Sequence, residues 1–295
     1  MILVFGSLNM DLLFHVERLP GQGETVLGPS YETQAGGKGM NQAVAAARAG
    51  ASVEMAGAIG ADGFGDALLA TLKAEGIGTS NIVHAPAPTG CASVMIDSQG
   101  RNQIVVASGA NRLARADQVP DPLLGPTTTL VLQMEVPPEE NWRLLARAKA
   151  RGVRTILNVA PFAPVPASSL QLCDVVVLNE IEAAQLNGAP AAFETLTHDL
   201  ANRCGGTCVV TLGGQGSIAA KGDQLIATPA MPVSVIDTTG AGDAFTGALA
   251  AALDHGHDLA AALHRANIAG ALACTAVGAQ ASLPRASEIE ARLAG

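Results

Sequence analysis

The chain has 295 residues, 48% of them hydrophobic, which is enough to fill one large α/β domain or two small ones without disulfide or metal staples. Its formal net charge of −9 opposes a broad surface for nucleic acid or anionic membrane, since only a local pocket could offset phosphate repulsion, so a small-molecule partner is expected. Five scattered cysteines, of which only Cys204 and Cys208 lie close, lack the spacing of a zinc site and read as reduced thiols in a cytoplasmic protein.

Met1 to Phe5 is a continuous apolar run ending at Gly6, the pattern of a central parallel strand buried on both faces. Leu12 to Ala35, broken by Pro20, Gly21, Gly23, Gly28 and Pro29, reads as short β pieces leaving the main sheet. Helical periodicity returns at Met40–Ala49, followed by strand Val53–Ala58 and helix Phe64–Glu75. This alternation implies right-handed crossovers and a parallel sheet. Ser93–Ile96 and Gln103–Val106 flank a turn at Asp97–Arg101 and form a hairpin. Two such excursions cannot both join the parallel sheet and are expected to pair as a small flap, which beside a reactive site would exclude water.

The alternation resumes with strand Leu130–Gln133, helix Pro138–Arg151, strands Thr155–Asn158 and Val175–Leu178, helix Ile181–Asn187 and strand Cys208–Thr211. Helices are expected at Ala241–Leu253, Leu259–Thr275 and Ala286–Leu293. The longest apolar-looking run, Ala244–Leu253, is about half the roughly 20 residues of a membrane helix, and no basic leader precedes an apolar stretch at Met1; neither a span nor an export signal is expected.

The stretch from Val235 to Gly247 is where chemistry is expected. The β-branched run ending at Ile236 suits a buried strand, Gly240 and Gly242 permit unusual backbone angles, and a helix begins at once. Such a turn aims unpaired N–H groups and a helix dipole at one spot, a seat for an anion. Asp243 sits at that seat, where it would repel a merely bound phosphate. A carboxylate there suits phosphoryl transfer: the amides stabilise the moving group while Asp243 orients an alcohol and takes its proton. A helix cap beside a glycine turn is the competing reading.

Asn9 and Asp11 follow the first strand, where ligands bind in open parallel sheets, and each can grip a sugar hydroxyl or simply form a turn. Gly36-Gly37-Lys38-Gly39-Met40-Asn41 precedes a helix and offers exposed N–H groups and one charge, without the spacing of a Walker loop. Asn179 and Glu182 share one side of a first helical turn; they supply oxygens suited to hydrated Mg²⁺, or a cap with an exposed glutamate. Thr211-Leu212-Gly213-Gly214-Gln215-Gly216 allows a nucleotide to lie against backbone, and fits a strand-to-strand turn equally well. The histidines form no ligand set, and Trp142 and Tyr31 are too few for a nucleic-acid stacking surface.

Gly36 to Ala45 and Asp237 to Asp243, in this order and about 200 residues apart, resemble the two signatures of the ribokinase-like carbohydrate kinases, and the resemblance runs from Gly6 to about Pro284. It implies a doubly wound, mainly parallel α/β sheet flanked by helices in one domain. Discontinuous segments at about 10–35 and 89–107 would form a β lid, often shared as a clasp in a homodimer. It implies ATP as phosphoryl donor to D-ribose at its 5-hydroxyl, Asp243 as base, and Gly240, Ala241 and Gly242 as anion hole. By the same resemblance Asn9, Asp11, Gly36, Gly37, Lys38, Asn41 and Glu135 would hold the sugar beside Asp243. Asn179, Thr211, Gly213, Gly216, Gly242 and Asn267 would contact the nucleotide, and Glu182 would act indirectly on Mg²⁺. A K⁺ site would draw on Asp237, Thr239, Ala273, Ala276, Gly278 and Ser282. Thr239-Gly240 and Asn158-Val159-Ala160-Pro161 depart from the pattern of some ribokinases and leave sugar choice open, with deoxyribose, another sugar or a nucleoside as alternatives. A catalytically silent sugar sensor is the rival from another class, disfavoured by Asp243.

Overall fold

The structure, a computed structural model, describes residues 1–294. In chain order the first half contains β1 (Ile2–Phe5), β2 (Asn9–His15), β3 (Tyr31–Gly36), α1 (Lys38–Arg48), β4 (Val53–Gly60), α2 (Gly63–Ala74), β5 (Gly78–Ala85), β6 (Gly90–Ile96) and β7 (Asn102–Ala107). After three short 3₁₀ turns come β8 (Thr129–Leu132), α3 (Pro138–Lys149), β9 (Arg154–Asn158), α4 (Ala167–Leu170), β10 (Val175–Asn179), α5 (Glu180–Asn187), α6 (Phe193–Cys204) and β11 (Thr207–Thr211). The chain closes with β12 (Ser217–Lys221), β13 (Gln224–Thr228), α7 (Ala241–Asp254), α8 (Leu259–Ala273) and α9 (Ala286–Leu293).

A nine-stranded sheet runs β13-β12-β11-β10-β9-β8-β1-β4-β5, parallel except for the antiparallel pairs β11–β12 and β12–β13. The apolar run at the start of the chain is continuous because both faces of β1 are covered. Ile2 and Val4 join a core built with α1, α7 and α8, while Leu3 and Phe5 join a second core built with α3, α5 and α6. The two β excursions do pair with each other, in a four-stranded sheet ordered β3-β2-β6-β7 in which β2 and β6 run parallel. Among the described residues no helix is long and apolar enough to cross a membrane.

One expected strand is absent. Val235 and Ile236 are 62% and 63% exposed and lie in an irregular loop. The sheet position beside β11 is taken by β12 and β13, and Pro229 and Pro232 deprive the following segment of backbone donors. The loop is fixed instead by the Ile236 and Asp237 amides, which donate to the Cys274 carbonyl at 2.8 and 3.4 Å.

Two packing contacts place the signatures side by side. A Cβ on Gly247 would lie 2.5 Å from the Ala45 side chain and 2.7 Å from the Gln42 carbonyl, so only glycine lets α7 cross α1 this closely. Asp243 lies four residues earlier on the same face of α7 and is thereby brought to the first turns of α1. At the other end of α1, Arg48 donates to the Gln280 and Leu283 carbonyls at 2.7 and 2.9 Å and pairs with Glu75 at 2.6 Å, clamping the loop that follows α8.

Candidate active site

Helix α7 opens at Gly240, whose φ of 78° is left-handed and whose Cβ position would fall 2.8 Å from the Ala279 carbonyl. The Ala241 amide donates to the Thr238 carbonyl at 3.2 Å, and the Ala244 amide to Gly240 at 2.8 Å. The Gly242 and Asp243 amides lie between them, at the helix mouth, where the geometry of an α-helix provides no intrahelical acceptor. Gly242 is exposed with open space at its Cβ position. Asp243 is 6% exposed, and its two oxygens accept from Asn41 Nδ2 at 3.0 Å and from Gln42 Nε2 at 2.9 Å. A carboxylate has about four lone-pair sites, so each oxygen retains capacity for one further donor.

The side toward the small sheet is acidic around one cation. Lys38 is half-buried, and the Asp243 carboxylate holds its ammonium above the ordinary range against the effect of burial, with help from Glu135 and Glu182. Burial pushes the Asp11 carboxyl up to about 7, reinforced by Glu135 and Asp243. Asp243 and Glu135 thus act on both Asp11 and Lys38, and Glu182 on Lys38. Glu135 Oε2 accepts from Ser7 Oγ at 2.6 Å and from the Lys38 amide at 2.9 Å, which fixes the glycine turn from Gly36 to Gly39. Asn41 is 5% exposed and its oxygen accepts from Gln280 Nε2 at 3.0 Å, so its NH₂ is turned to Asp243 and has a second N–H to offer.

Asn111, in the first 3₁₀ turn, was not anticipated from the sequence, and no motif surrounds it. Its amide is oriented by the main chain of Leu8, accepting from the nitrogen at 2.9 Å and donating to the carbonyl at 3.1 Å, and it also donates to Asn9 Oδ1 at 2.7 Å. Asn9 therefore turns its NH₂ outward. Asn9, Asn111, Arg112 and Glu135 line a cleft of roughly 560 Å³ between the small sheet and the carboxyl ends of the parallel strands. A cleft of about 710 Å³ lies at the opposite, amino ends of β1, β8 and β9. Its charged groups are already engaged, the Met1 ammonium with Asp254 at 2.9 Å, Lys149 with Asp174 at 2.7 Å and Arg154 with the Leu253 carbonyl at 2.6 Å.

Further along the strand ends, Asn179 and Glu182 form a reciprocal capping box, Asn179 Oδ1 accepting from the Glu182 amide at 2.8 Å and Glu182 Oε2 from the Asn179 amide at 2.9 Å. Glu182 is buried, not exposed; burial raises its carboxyl, and the Asn179 amide and Lys38 oppose that shift. Thr211 ends β11 and Gly213 follows it, Gly213 being exposed with open space at its Cβ position. Gly216 instead packs within 2.1 Å, at its Cβ position, of the Thr228 carbonyl and shapes the turn into β12. Asn267, 8% exposed on α8, donates to Ser217 Oγ and to the Thr228 carbonyl at 3.0 and 3.1 Å, holding that turn against the helix.

The residues expected around a cation meet beside Gly240. Asp237 Oδ1 accepts from the Thr239 amide and hydroxyl at 2.9 and 2.7 Å, and Oδ2 from the Gly278 amide at 3.0 Å. Burial pushes the Asp237 carboxyl up, but these bonds outweigh it and hold it below the ordinary range. Ser282 Oγ donates to the Gly278 carbonyl at 2.6 Å. Ala273 and Ala276 flank Cys274, the residue to which the loop is tied. The donors are oxygens with a single carboxylate, which fits a monovalent cation.

Comparison with known proteins identifies the family. The model of the pfkB family of carbohydrate kinases matches residues 1–286. A ribokinase of Bacillus subtilis (strain 168) is 36% identical over 299 residues, covering 98% of both chains. A deoxyribokinase of Salmonella typhi is 32% identical over 293 residues, covering 96% of this chain and 95% of the relative. The structure of Arabidopsis thaliana ribokinase complexed with ribose and ATP superposes with a TM-score of 0.90 at 32% identity, covering 99% of this chain and 98% of that one. The chain belongs to the pfkB family of carbohydrate kinases.

Proposed function

We propose that this enzyme transfers the γ-phosphoryl group of ATP to the 5-hydroxyl of D-ribose, giving D-ribose 5-phosphate and ADP. The observation that carries the reading is Asp243, a buried carboxylate held by two amides at the mouth of a helix, facing the group of Asn9, Asp11 and Lys38. Asn9 offers N–H donors because its oxygen is occupied, Asp11 offers acceptors, and Lys38 adds a fixed charge. Asp243 orients the 5-hydroxyl and takes its proton as the new O–P bond forms, while the amides of the Gly240–Gly242 turn receive charge from the moving phosphoryl group. Thr211, Gly213, Gly216 and Asn267 shape the nucleotide side.

Glu182 keeps its Oε1 outside the capping bonds, and with the Asn179 oxygen, whose second lone pair is not used in the cap, would hold Mg²⁺ through water, where it would neutralise phosphate charge. Asp237, Thr239 and Ser282, with the carbonyls of Ala273, Ala276 and Gly278, would hold K⁺ beside the anion seat, adding positive potential there. A panel of ribose, deoxyribose, fructose and adenosine with ATP and Mg²⁺, with K⁺ or with tetramethylammonium, and ADP release as readout, tests the assignment. Ribose is expected to give the highest kcat/KM, and K⁺ to raise it. Absence of sugar-dependent turnover would remove the kinase reading, and preference for deoxyribose or adenosine would remove ribose.

The same proposal includes one domain with the small sheet as lid, a cytoplasmic location and a homodimer joined through that sheet. Ile104, Val105 and Val106 on β7 are 54%, 66% and 51% exposed, an apolar strand edge that a second copy would cover. Light scattering is expected to return twice the chain mass. A single-chain mass at micromolar concentration would exclude the dimer.

A further inference from the structure

We infer that Gln42 is a positioning residue for the Asp243 carboxylate, its amide orientation fixed from behind by Asn158 and Gln133. The inference rests on the kinase reading above and adds a group that never meets substrate. Gln42 is 0% exposed and follows Asn41 on α1, so two adjacent side chains grip the two oxygens of one carboxylate from a helix that the Gly247 crossing holds in place.

The direction of the Gln42 amide follows from groups that cannot be misassigned. Asn158 Nδ2 donates to the Val177 main-chain carbonyl at 3.2 Å, which turns Asn158 Oδ1 toward Gln42. That oxygen accepts one Gln42 N–H at 2.9 Å, and Asp243 Oδ1 accepts the other at 2.9 Å. Gln42 Oε1 accepts from Gln133 Nε2 at 2.9 Å. All three polar positions of the side chain are used. Rotated by half a turn, Gln42 would set its oxygen against two acceptors and its NH₂ against a donor, so one orientation is strongly preferred.

Holding it there has a cost. Gln133 Oε1 and Asn141 Oδ1 are buried without a hydrogen-bond partner among the described residues, while Asn141 Nδ2 donates to the Gln133 carbonyl at 2.7 Å. An apolar residue at position 133 would avoid the orphaned oxygen. A core that keeps a glutamine there, with its nitrogen directed at Gln42, departs from the packing rule where a site needs orientation. The result is a carboxylate fixed in plane before any substrate arrives, the condition under which a base is effective.

Gln42→Met conserves volume and removes the donor. It is expected to lower kcat about 10- to 30-fold while the KM values for ribose and ATP stay within about twofold, because sub-ångström misplacement of a reacting group is expensive in rate and not in binding. Introduced into Asp243→Asn, the same change is expected to cause no further loss, since there is no base left to position; a general structural defect would multiply. Gln133→Met, which removes an orphaned oxygen while freeing Gln42 to rotate, is expected to lower kcat about threefold to tenfold with little change in Tm, and carries the same readout if Gln42→Met does not fold. Wild-type kcat in a folded Gln42→Met protein, or an undiminished loss in the Asp243→Asn background, would overturn the inference while leaving the kinase reading intact. Failure of the unaltered enzyme to phosphorylate any sugar would overturn both.

Discussion

Asp243→Asn is expected to reduce turnover by about 10³- to 10⁴-fold, at the upper end of what general-base catalysis contributes, while ribose affinity changes less than about threefold. The substitution removes the buried carboxylate in the first turn of α7, the group proposed to take the alcohol proton, and leaves the Gly240–Gly242 turn and the Asn9–Asp11 pair in place. It also turns one of two acceptors into a donor. Asn41 Nδ2 and Gln42 Nε2 now both face this carboxylate, at 3.0 and 2.9 Å, so one of them would face another N–H. Asn41 yields more easily than Gln42, since apart from Asp243 it is held by Gln280 alone at 3.0 Å whereas Gln42 is held by both Asn158 and Gln133 at 2.9 Å. Some displacement near the sugar is the reason for a threefold allowance. Calorimetric titration with ribose, alongside single-turnover kinetics with saturating ATP, separates the two quantities. A loss of sugar binding comparable to the loss of rate would make Asp243 a binding or structural group, and a residual rate within tenfold of the unaltered enzyme would locate the base elsewhere.

The amino-acid sequence carried the parallel alternation and the α7 mouth because both are local: apolar runs of β1, β8 and β10 between helical periods, and Gly240 with Asp243 at a helix start. It did not carry β5, β12, β13 or α6. β5 is an edge strand reading Gly-Thr-Ser-Asn-Ile-Val-His-Ala, half of it polar, and β12 and β13 form an antiparallel appendage whose only local sign was the glycine turn at Gly213–Gly216. The misplaced strand at Val235–Ile236 shows the limit of propensity where the sheet has no free position. Asp11, Glu182, Asp243 and Lys38 could be named from residue type and spacing, and Glu135 only through the family resemblance. The groups that hold them could not: Ser7, Asn111, Gln133, Asn158 and Gln280 act in these bonds across 91 residues or more in the chain, and an isolated hydroxyl or amide has no periodicity to betray it. Gln42 stood inside the quoted motif, beside Asn41, yet only the α1–α7 crossing gives it a partner 201 positions away.

Asp11→Asn is expected to weaken ribose binding by about 100-fold, the upper range for one charged hydrogen bond, and at the same time to stabilise the unliganded protein above neutral pH. The two effects have one origin. Burial, then Glu135 and Asp243, raise the Asp11 carboxyl to about 7 from an ordinary 3.8, so the folded chain retains a proton that the unfolded chain releases. Unliganded stability therefore falls as pH rises from about 4 to about 7 and is flat beyond, and the neutral amide abolishes that slope. Thermal unfolding at pH 8 is expected to show Asp11→Asn melting about 2–4 °C above the unaltered protein, and at pH 5 the two nearly together. In the proposed sugar site hydroxyls would donate to the ionised Asp11 carboxylate, so ribose would have to expel its proton below pH 7. Affinity of the unaltered enzyme should fall by up to about tenfold per unit of pH there, with proton release visible as a buffer-dependent binding enthalpy, and both signals should vanish in the variant. Equal stability at pH 8, or binding that is independent of pH between 5.5 and 7.5 in the unaltered enzyme, would mean that the three carboxylates do not share a field and that the acidity of this cleft is dispersed before the sugar arrives. If the slopes are as expected, Asp11 is a residue that the empty fold holds at a loss and the substrate releases, which couples sugar entry to the charge beside Asp243.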